Sequence, residues 1–503
     1  MRSTLLPGSV PMTTKDADRS QPVAPELAFR EADVRNPLVG YPPHDHNRDM
    51  DTLDFDACYQ AVGSRDERFD GWFYTAVRTT GIYCRPSCPA ITPRRSNVEF
   101  HITAASAQAA GFRACKRCRP DASPGSPQWN VRSDLVARAM RLITDGVVDR
   151  DGVAGLAAAL GYTPRHITRM MTAEVGAGPL AIARANRART ARVLLENTDL
   201  TAADVAFAAG FGSIRQFNET IREVYALAPG ALRSGRADAG SISLRLATRK
   251  PFAGDVLLAF LGQRAIPGVE AWDGTTFSRS MRLPHGIGRA DITAYEDHCR
   301  ATLQIDDVRD LAPAVSRIRR MLDLDADPVA VADVLDRTLP VERIPGLRSP
   351  RAFDPEETAI RAVLGQQISV AAARTAAGRL AAGGPLFPTS AQIAAMAPDT
   401  LPMPRRRAAT VVELARRMTS GELHLDPGAD WDEAERRLLE IPGVGPWTAA
   451  YIRMRALGDP DVSLPTDLGI ARAARARGLE PDDPRWKPWR SYAMHYLWNL
   501  GED

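Results

Sequence analysis

Between residues 131 and 236 apolar residues recur at helical spacing, broken by short turns, which predicts a run of amphipathic helices. The period changes after Ser241, where ISLRLAT and later CRATLQI (299–305) alternate from residue to residue and read as strands. From Asp354 the helical spacing returns and runs into a tryptophan-rich end. Ahead of these stretches, residues 51–121 concentrate aromatics and cysteines, and ASPGSPQ (122–128) reads as a linker. Residues 1–50 are rich in Pro, Asp, Arg and His without apolar periodicity, and read as a mobile tail. The expected fold is therefore multidomain and mainly α with α+β parts: four folded units joined by short polar links.

The second unit repeats itself. LGYTPRHITRMMTAEVGAGP (160–179) resembles AGFGSIRQFNETIREVYALAP (209–229). Gly161 and Gly210 each end one helix, and Thr163-Pro164 or Ser213 caps the next. Helix, glycine turn and polar-faced helix is a helix-turn-helix arrangement. An ordinary helical bundle would give one such copy. Two copies with Arg165, His166, Arg169, Arg215, Gln216 and Asn218 on the second helices favour two modules reading neighbouring major grooves.

Composition narrows the class. At 503 residues the chain has room for three or four domains, and 44% apolar with 25% charged residues suits folded domains. No apolar run is long enough to cross a membrane. The start lacks the apolar core of a signal peptide, so a cytoplasmic protein is expected. The net charge of +3 says little by itself, but only Lys15, Lys116, Lys250 and Lys487 carry amines. Of six cysteines, Cys58 and Cys299 stand apart and read as buried apolar fillers. The histidines of PPHDHN belong to the tail and are not taken as a metal site.

The other four cysteines form two close pairs, Cys84-x3-Cys88 and Cys115-x2-Cys118, and four thiolates suit tetrahedral Zn²⁺. Spacing alone favours a structural zinc knot. The surroundings add a second possibility: Arg78, Arg85, Arg94, Arg95, Arg113, Lys116, Arg117 and Arg119 stand against the single acid Glu99. A phosphate backbone is the natural partner of such a surface, and zinc-held thiolates beside DNA are competent nucleophiles.

FYTAVRTTGIYCRPSCPA, followed by AAGFRACKRCRP, resembles the N-terminal domain of the Ada family of methylation-repair and response proteins over roughly residues 54–121. The unit after it is similar to that family's AraC-type module. The resemblance implies that Cys84 takes a methyl group irreversibly from a methylphosphotriester, with Cys88, Cys115 and Cys118 completing the metal shell. Methylation would change the site's charge from −2 to −1 and so promote DNA binding by residues 51–236. The family's PCHR motif for O6-methylguanine does not occur in the chain, so that activity is expected to be absent.

The C-terminal half carries other chemistry. LLEIPGVGPWTAAYI (438–452) reads as helix, glycine hairpin and helix, with Gly443 and Gly445 letting the backbone approach a DNA phosphate. Asp467 follows in SLPTDLGIARAA. These words, with IRAVLGQQISVAAA (360–373) and RWKPWRSYAMHYLW (485–498), are similar to the AlkA branch of the helix-hairpin-helix DNA glycosylases over about 241–500. The resemblance implies catalysis by Asp467 and a base pocket lined by Trp447, Tyr451 and Trp498, joined by Phe260. The family's apolar wedge falls on Gln367, a departure that puts flipping efficiency and substrate breadth in question. Bifunctional relatives use a lysine where Trp447 stands, so a monofunctional enzyme is expected. Each residue also has a plainer reading: the aromatics as core, Asp467 as a helix cap.

The expected division is a tail (1–50), an Ada-type zinc domain (51–125), an AraC-type DNA-binding domain (131–236), an AlkA-type α+β domain (241–340) and a helix-hairpin-helix glycosylase domain (341–503). The expected function is a response to DNA alkylation that combines methyl acceptance, transcription regulation and excision of alkylated bases. Zn²⁺ is the expected cofactor. The expected partners of the monomer are double-stranded DNA, both alkylated and promoter, and RNA polymerase. The rival is a DNA-binding regulator with a structural zinc site and a glycosylase-like half that does not catalyse.

Overall fold

The structure, a computed structural model, describes residues 53–122, 124–127, 134–233, 241–382 and 384–500; the expected tail and the link at 236–240 lie outside the described residues. The first helix, Phe55–Ser64, starts where the Asp54 side chain accepts the amides of Asp56 and Ala57 at 2.8 and 3.0 Å. A four-stranded sheet follows: β1 (Tyr74–Val77), β2 (Ile82–Cys84), β3 (Val98–His101) and β4 (Arg113–Ala114), in the order β3-β1-β2-β4. β1 is antiparallel to β2 and β3, whereas β4 runs parallel to β2 with Tyr83 opposite Ala114. Parallel strands end on the same side, so Cys84 and Cys115 leave the sheet as neighbours, and the Cys115 amide donates to the Tyr83 carbonyl at 3.0 Å. Cys58 is fully buried with Phe69, Trp72 and Phe73, and burial pushes its thiol up to about 12.

The helical repeat forms as its glycines and caps dictate. Gly161 and Gly210 take left-handed φ values of +77° and +83°. Thr163 Oγ1 then accepts the His166 amide and opens the helix Pro164–Val175; Ser213 Oγ accepts the Gln216 amide and opens Ile214–Tyr225. Ile167, Met171 and Val175 turn inward on the first, Phe217, Ile221 and Val224 on the second. That leaves Arg165, Arg169, Arg215 and Gln216 exposed. The long helix Pro179–Asn197 joins the two copies.

Five antiparallel strands come next: β5 (Ile242–Ala247), β6 (Glu270–Trp272), β7 (Thr276–Arg282), β8 (Ile287–Ala294) and β9 (His298–Ile305), in the order β5-β9-β8-β7-β6. The alternation of β5 and β9 buries Ile242, Leu244 and Leu246 against Cys299, Ala301 and Leu303. Burial also pushes the Cys299 thiol up to about 12. The helix Gly254–Gln263 packs on this sheet and carries Phe260. Beyond it the chain is helical. The helix Trp431–Leu439 is followed by the glycine hairpin and by Pro446–Ile452, which continues as a π turn through Arg453–Leu457; Leu468–Arg475 and Arg490–Asn499 close the chain.

These units are not independent beads. One hydrophobic core runs from Ala76 and Tyr83 through Leu194 and Phe217 to Leu244 and Ile318. Arg138 Nε and Arg141 Nε donate to the carbonyls of Gly428 and Pro427 at 2.5 and 2.6 Å. Asp145 accepts from Arg317 at 3.2 Å, and Arg249 Nη2 donates to the Asp70 carbonyl at 2.6 Å.

Candidate functional site

Two places gather chemistry. At the first, the ends of β2 and β4 and the loops after them bring Cys84, Cys88, Cys115 and Cys118 together, with all four sulfurs within 4.8 Å of one another, buried and free of disulfides. Four sulfurs at the usual zinc distance sit about 3.8 Å apart, so the cluster fits a tetrahedral ion. Without an ion the sulfurs do not ionise together: hydrogen bonds with Cys118 and Cys88, then burial, push the Cys84 thiol far above its ordinary value, while hydrogen bonds with Cys118 and Cys84 pull the Cys88 thiol down. A divalent cation is what lets such sulfurs ionise together.

The basic window around the cysteines is less one-sided in space than in sequence. Arg85 pairs with Asp70 at 3.0 Å and Arg78 with Glu99 at 3.2 Å; Arg95 and Arg119 pair with Asp56 and Glu196. Three of those acids lie outside the window 78–119. Arg94, Lys116 and Arg117 are exposed, with no carboxylate in ion-pair range among the described residues.

At the second place three helices converge on one carboxylate. Asp467 is the N-cap of Leu468–Arg475, where its Oδ1 accepts the amides of Gly469 and Ile470 at 3.0 and 3.1 Å. The same oxygen accepts the indole N–H of Trp498 at 3.1 Å, and Oδ2 accepts that of Trp447 at 3.2 Å. The helix-cap reading of Asp467 therefore holds, and the cap leaves the carboxylate facing two indoles. Tyr451 stacks on Trp447 with ring centres 5.2 Å apart and meets Trp498 edge-on at 6.2 Å. Phe260 arrives from the sheet unit, 6.3 Å from Trp498. A cavity of about 1100 Å³ is lined by Phe260, Gln367, Trp447, Tyr451, Asp467 and Trp498 together.

The hairpin forms the cavity's rim. Gly443 has φ +93°, and a Cβ there would sit 2.2 Å from Thr410 Oγ1; Gly445 is extended, with open space where its Cβ would be. Gln366 holds this turn in place, its Nε2 donating to the Gly443 carbonyl and to Thr448 Oγ1, both at 2.9 Å. Its neighbour Gln367 is exposed at φ +57°, and the exposed apolar Ile368, Val370 and Leu468 line the same cavity. Sequence reasoning missed Gln366, although it stands in the GQQIS word, because an anchoring amide has no spacing signature. It also missed His495, fully buried between Phe260 and Trp498, which burial and then Arg455 and Arg264 hold well below its ordinary range and so neutral.

Three family descriptions match the chain: the metal binding domain of Ada over residues 57–121, a helix-turn-helix domain over 156–235 and the AlkA N-terminal domain over 243–354. The first lies on the four-cysteine cluster, which is a zinc site. A probable bifunctional transcriptional activator/DNA repair enzyme AlkA of Mycobacterium tuberculosis is 52% identical over 480 residues, covering 89% of this chain and 97% of its own length. DNA-3-methyladenine glycosylase 2 of Escherichia coli is 35% identical over 270 residues, 49% of this chain and 94% of its own. The bifunctional transcriptional activator/DNA repair enzyme Ada of Escherichia coli is 37% identical over 169 residues, 33% of this chain and 46% of its own. With an Ada-type metal domain, a helix-turn-helix unit and an AlkA-type half in one polypeptide, the chain belongs to the family of bifunctional transcriptional activator/DNA repair enzymes of the Ada–AlkA type.

Proposed function

We propose that this chain removes alkylation damage in two ways: it accepts a methyl group from a DNA methylphosphotriester on Cys84, which activates promoter binding, and it excises bases such as 3-methyladenine and 7-methylguanine. The observation that carries the second activity is the Asp467 carboxylate held by two indole N–H groups in the wall of an aromatic cavity.

In the transfer step the Cys84 sulfur attacks the methyl carbon, an S–C bond forms, the C–O bond of the ester breaks, and the phosphodiester leaves as an anion. Bound zinc would keep the sulfurs ionised at neutral pH. Arg94, Lys116 and Arg117 stand ready to neutralise a phosphate backbone. The product sulfur is a thioether, so the site loses one negative charge.

In base excision the flipped nucleotide stacks between the rings, whose electron-rich faces prefer a cationic base by ~0.5–2 kcal/mol per good contact. The bond from C1′ to the base nitrogen breaks and its electron pair leaves with the base, neutralising it. The Asp467 carboxylate stabilises the resulting positive sugar; water adds at C1′ and loses its proton. Neither Lys250 nor Lys487 lines the cavity, and Trp447 stands at the amine position, which supports a monofunctional enzyme that leaves an abasic site. Gly443 and Gly445 at the rim would face the DNA backbone, with Arg165, Arg169, Arg215 and Gln216 on promoter DNA.

The same reading assigns 51–125 to methyl acceptance, 131–236 to promoter binding and 241–340 with 341–503 to excision, in a cytoplasmic monomer that meets RNA polymerase at the promoter. Asp467→Asn tests it, because asparagine still caps a helix but carries no charge. Release of 3-methyladenine should fall by at least about a hundredfold, as for loss of one aligned electrostatic group. A variant that keeps both its melting temperature and its base release would leave the rival, a non-catalytic grip on DNA, as the better account.

A further inference from the structure

The arginines around the cavity are not alike. Arg279 and Arg361 are locked between Glu270 and Glu357, and Arg351 faces Asp323 at 3.3 Å. Arg455 is only 6% exposed, yet no carboxylate lies in ion-pair range of it among the described residues. Its Nη1 donates to the Tyr451 hydroxyl at a long 3.4 Å, and its Nε is buried with no hydrogen-bond partner. The guanidinium carbon lies 5.0 Å from the centre of the Phe260 ring and 5.9 Å from that of Tyr451, and all three residues line the cavity.

A buried guanidinium with spare donors is unfavourable until something accepts from it. Beside a cavity for cationic bases it is also of the wrong sign, since like charges repel. Both penalties are offset if the guest base brings an acceptor of its own. We propose that Arg455 is a specificity-determining residue for excision: the terminal N–H groups of its guanidinium meet the C6 oxygen of a flipped, alkylated guanine and favour it over an alkylated adenine. This rests on the glycosylase reading above. The two lesions, 7-methylguanine and 3-methyladenine, are both cationic while still attached to the sugar, so ring stacking and repulsion act on them alike. They differ at C6, where guanine carries an acceptor and adenine an amine donor. An amine facing Arg455 leaves the guanidinium unpaired; an oxygen satisfies it.

The test is the ratio of 7-methylguanine to 3-methyladenine released from methylated duplex DNA by the full chain and by two variants. Arg455→Met should lower the ratio by roughly ten- to a hundredfold, the worth of one hydrogen bond from a charged donor to the C6 oxygen, since the methylated N7 cannot accept. Arg455→Lys keeps the buried charge but loses the planar fork, and should fall between wild type and Arg455→Met. A merely structural role would lower both releases together and leave the ratio where it was, which overturns the inference while the glycosylase reading stands. A wild-type chain that releases neither base overturns the glycosylase reading, and the inference with it.

Discussion

The Asp467 carboxylate caps a helix and accepts two indole N–H groups, and only the cap was legible in its own neighbourhood of the sequence. LPTD at a helix start announces that cap, and the resemblance to the glycosylases raises the expectation of a catalytic carboxylate there. The indole clamp needs Trp447, Asp467 and Trp498 brought together from three helices, and no local spacing encodes it. The same limit applies to charge. Reading residues 78–119 as almost purely basic overlooked Asp56, Asp70 and Glu196, which fold back onto it. Asp149, on Val147–Leu160, had no sequence signal either. It faces Arg187 at 3.4 Å, yet burial outweighs Arg187 and Arg150 and pushes its carboxyl up to about 6. The fold therefore prefers the protonated form: this group's contribution is fully present below about pH 4 and is lost as pH rises through 6. Asp149→Asn should melt at a higher temperature than wild type at pH 8, and the gap should close by pH 4. A gap independent of pH would refute this.

At the scale of elements the periodicities did most of the work. The helical repeat, its glycine ends, its caps at Thr163 and Ser213, and strands over Ile242–Ala247 and His298–Ile305 were all legible, because each follows from local chemistry. The glycine hairpin was legible as a shape, but its anchoring by Gln366 and Thr410 was not, since both lie tens of residues upstream of it. The two hairpin glycines should respond differently to alanine. Gly443→Ala meets Thr410 Oγ1 at a positive φ and should destabilise the chain by about 1–3 kcal/mol in thermal or denaturant unfolding. Gly445→Ala has open space and an extended backbone, so stability should hold while affinity for duplex DNA falls where the backbone needs to come close. Unchanged affinity in Gly445→Ala would remove the hairpin from the DNA interface.

At the scale of the whole molecule, the segment 122–128 read as a linker suggested separate modules, but packing ties them. Arg138 reaches Gly428 and Arg249 reaches Asp70, contacts across 290 and 179 residues that no sequence window contains. The coupling expected between the metal site and promoter binding is electrostatic. Removing one negative charge within several Å of phosphates is worth roughly 1–4 kcal/mol, depending on the local dielectric. Operator affinity of the full chain should therefore rise roughly five- to a thousandfold on methylation, and the gain should shrink as salt screens it. Equal affinity before and after methylation would defeat the switch.

The measurement closest to the central claim is the mass of the cysteine peptides after the zinc-loaded full chain meets DNA bearing methylphosphotriesters. One added CH₂, about 14 Da, is expected on the peptide holding Cys84 and at that residue alone. An unchanged mass, or methyl groups spread over Cys88, Cys115 and Cys118, would contradict the account.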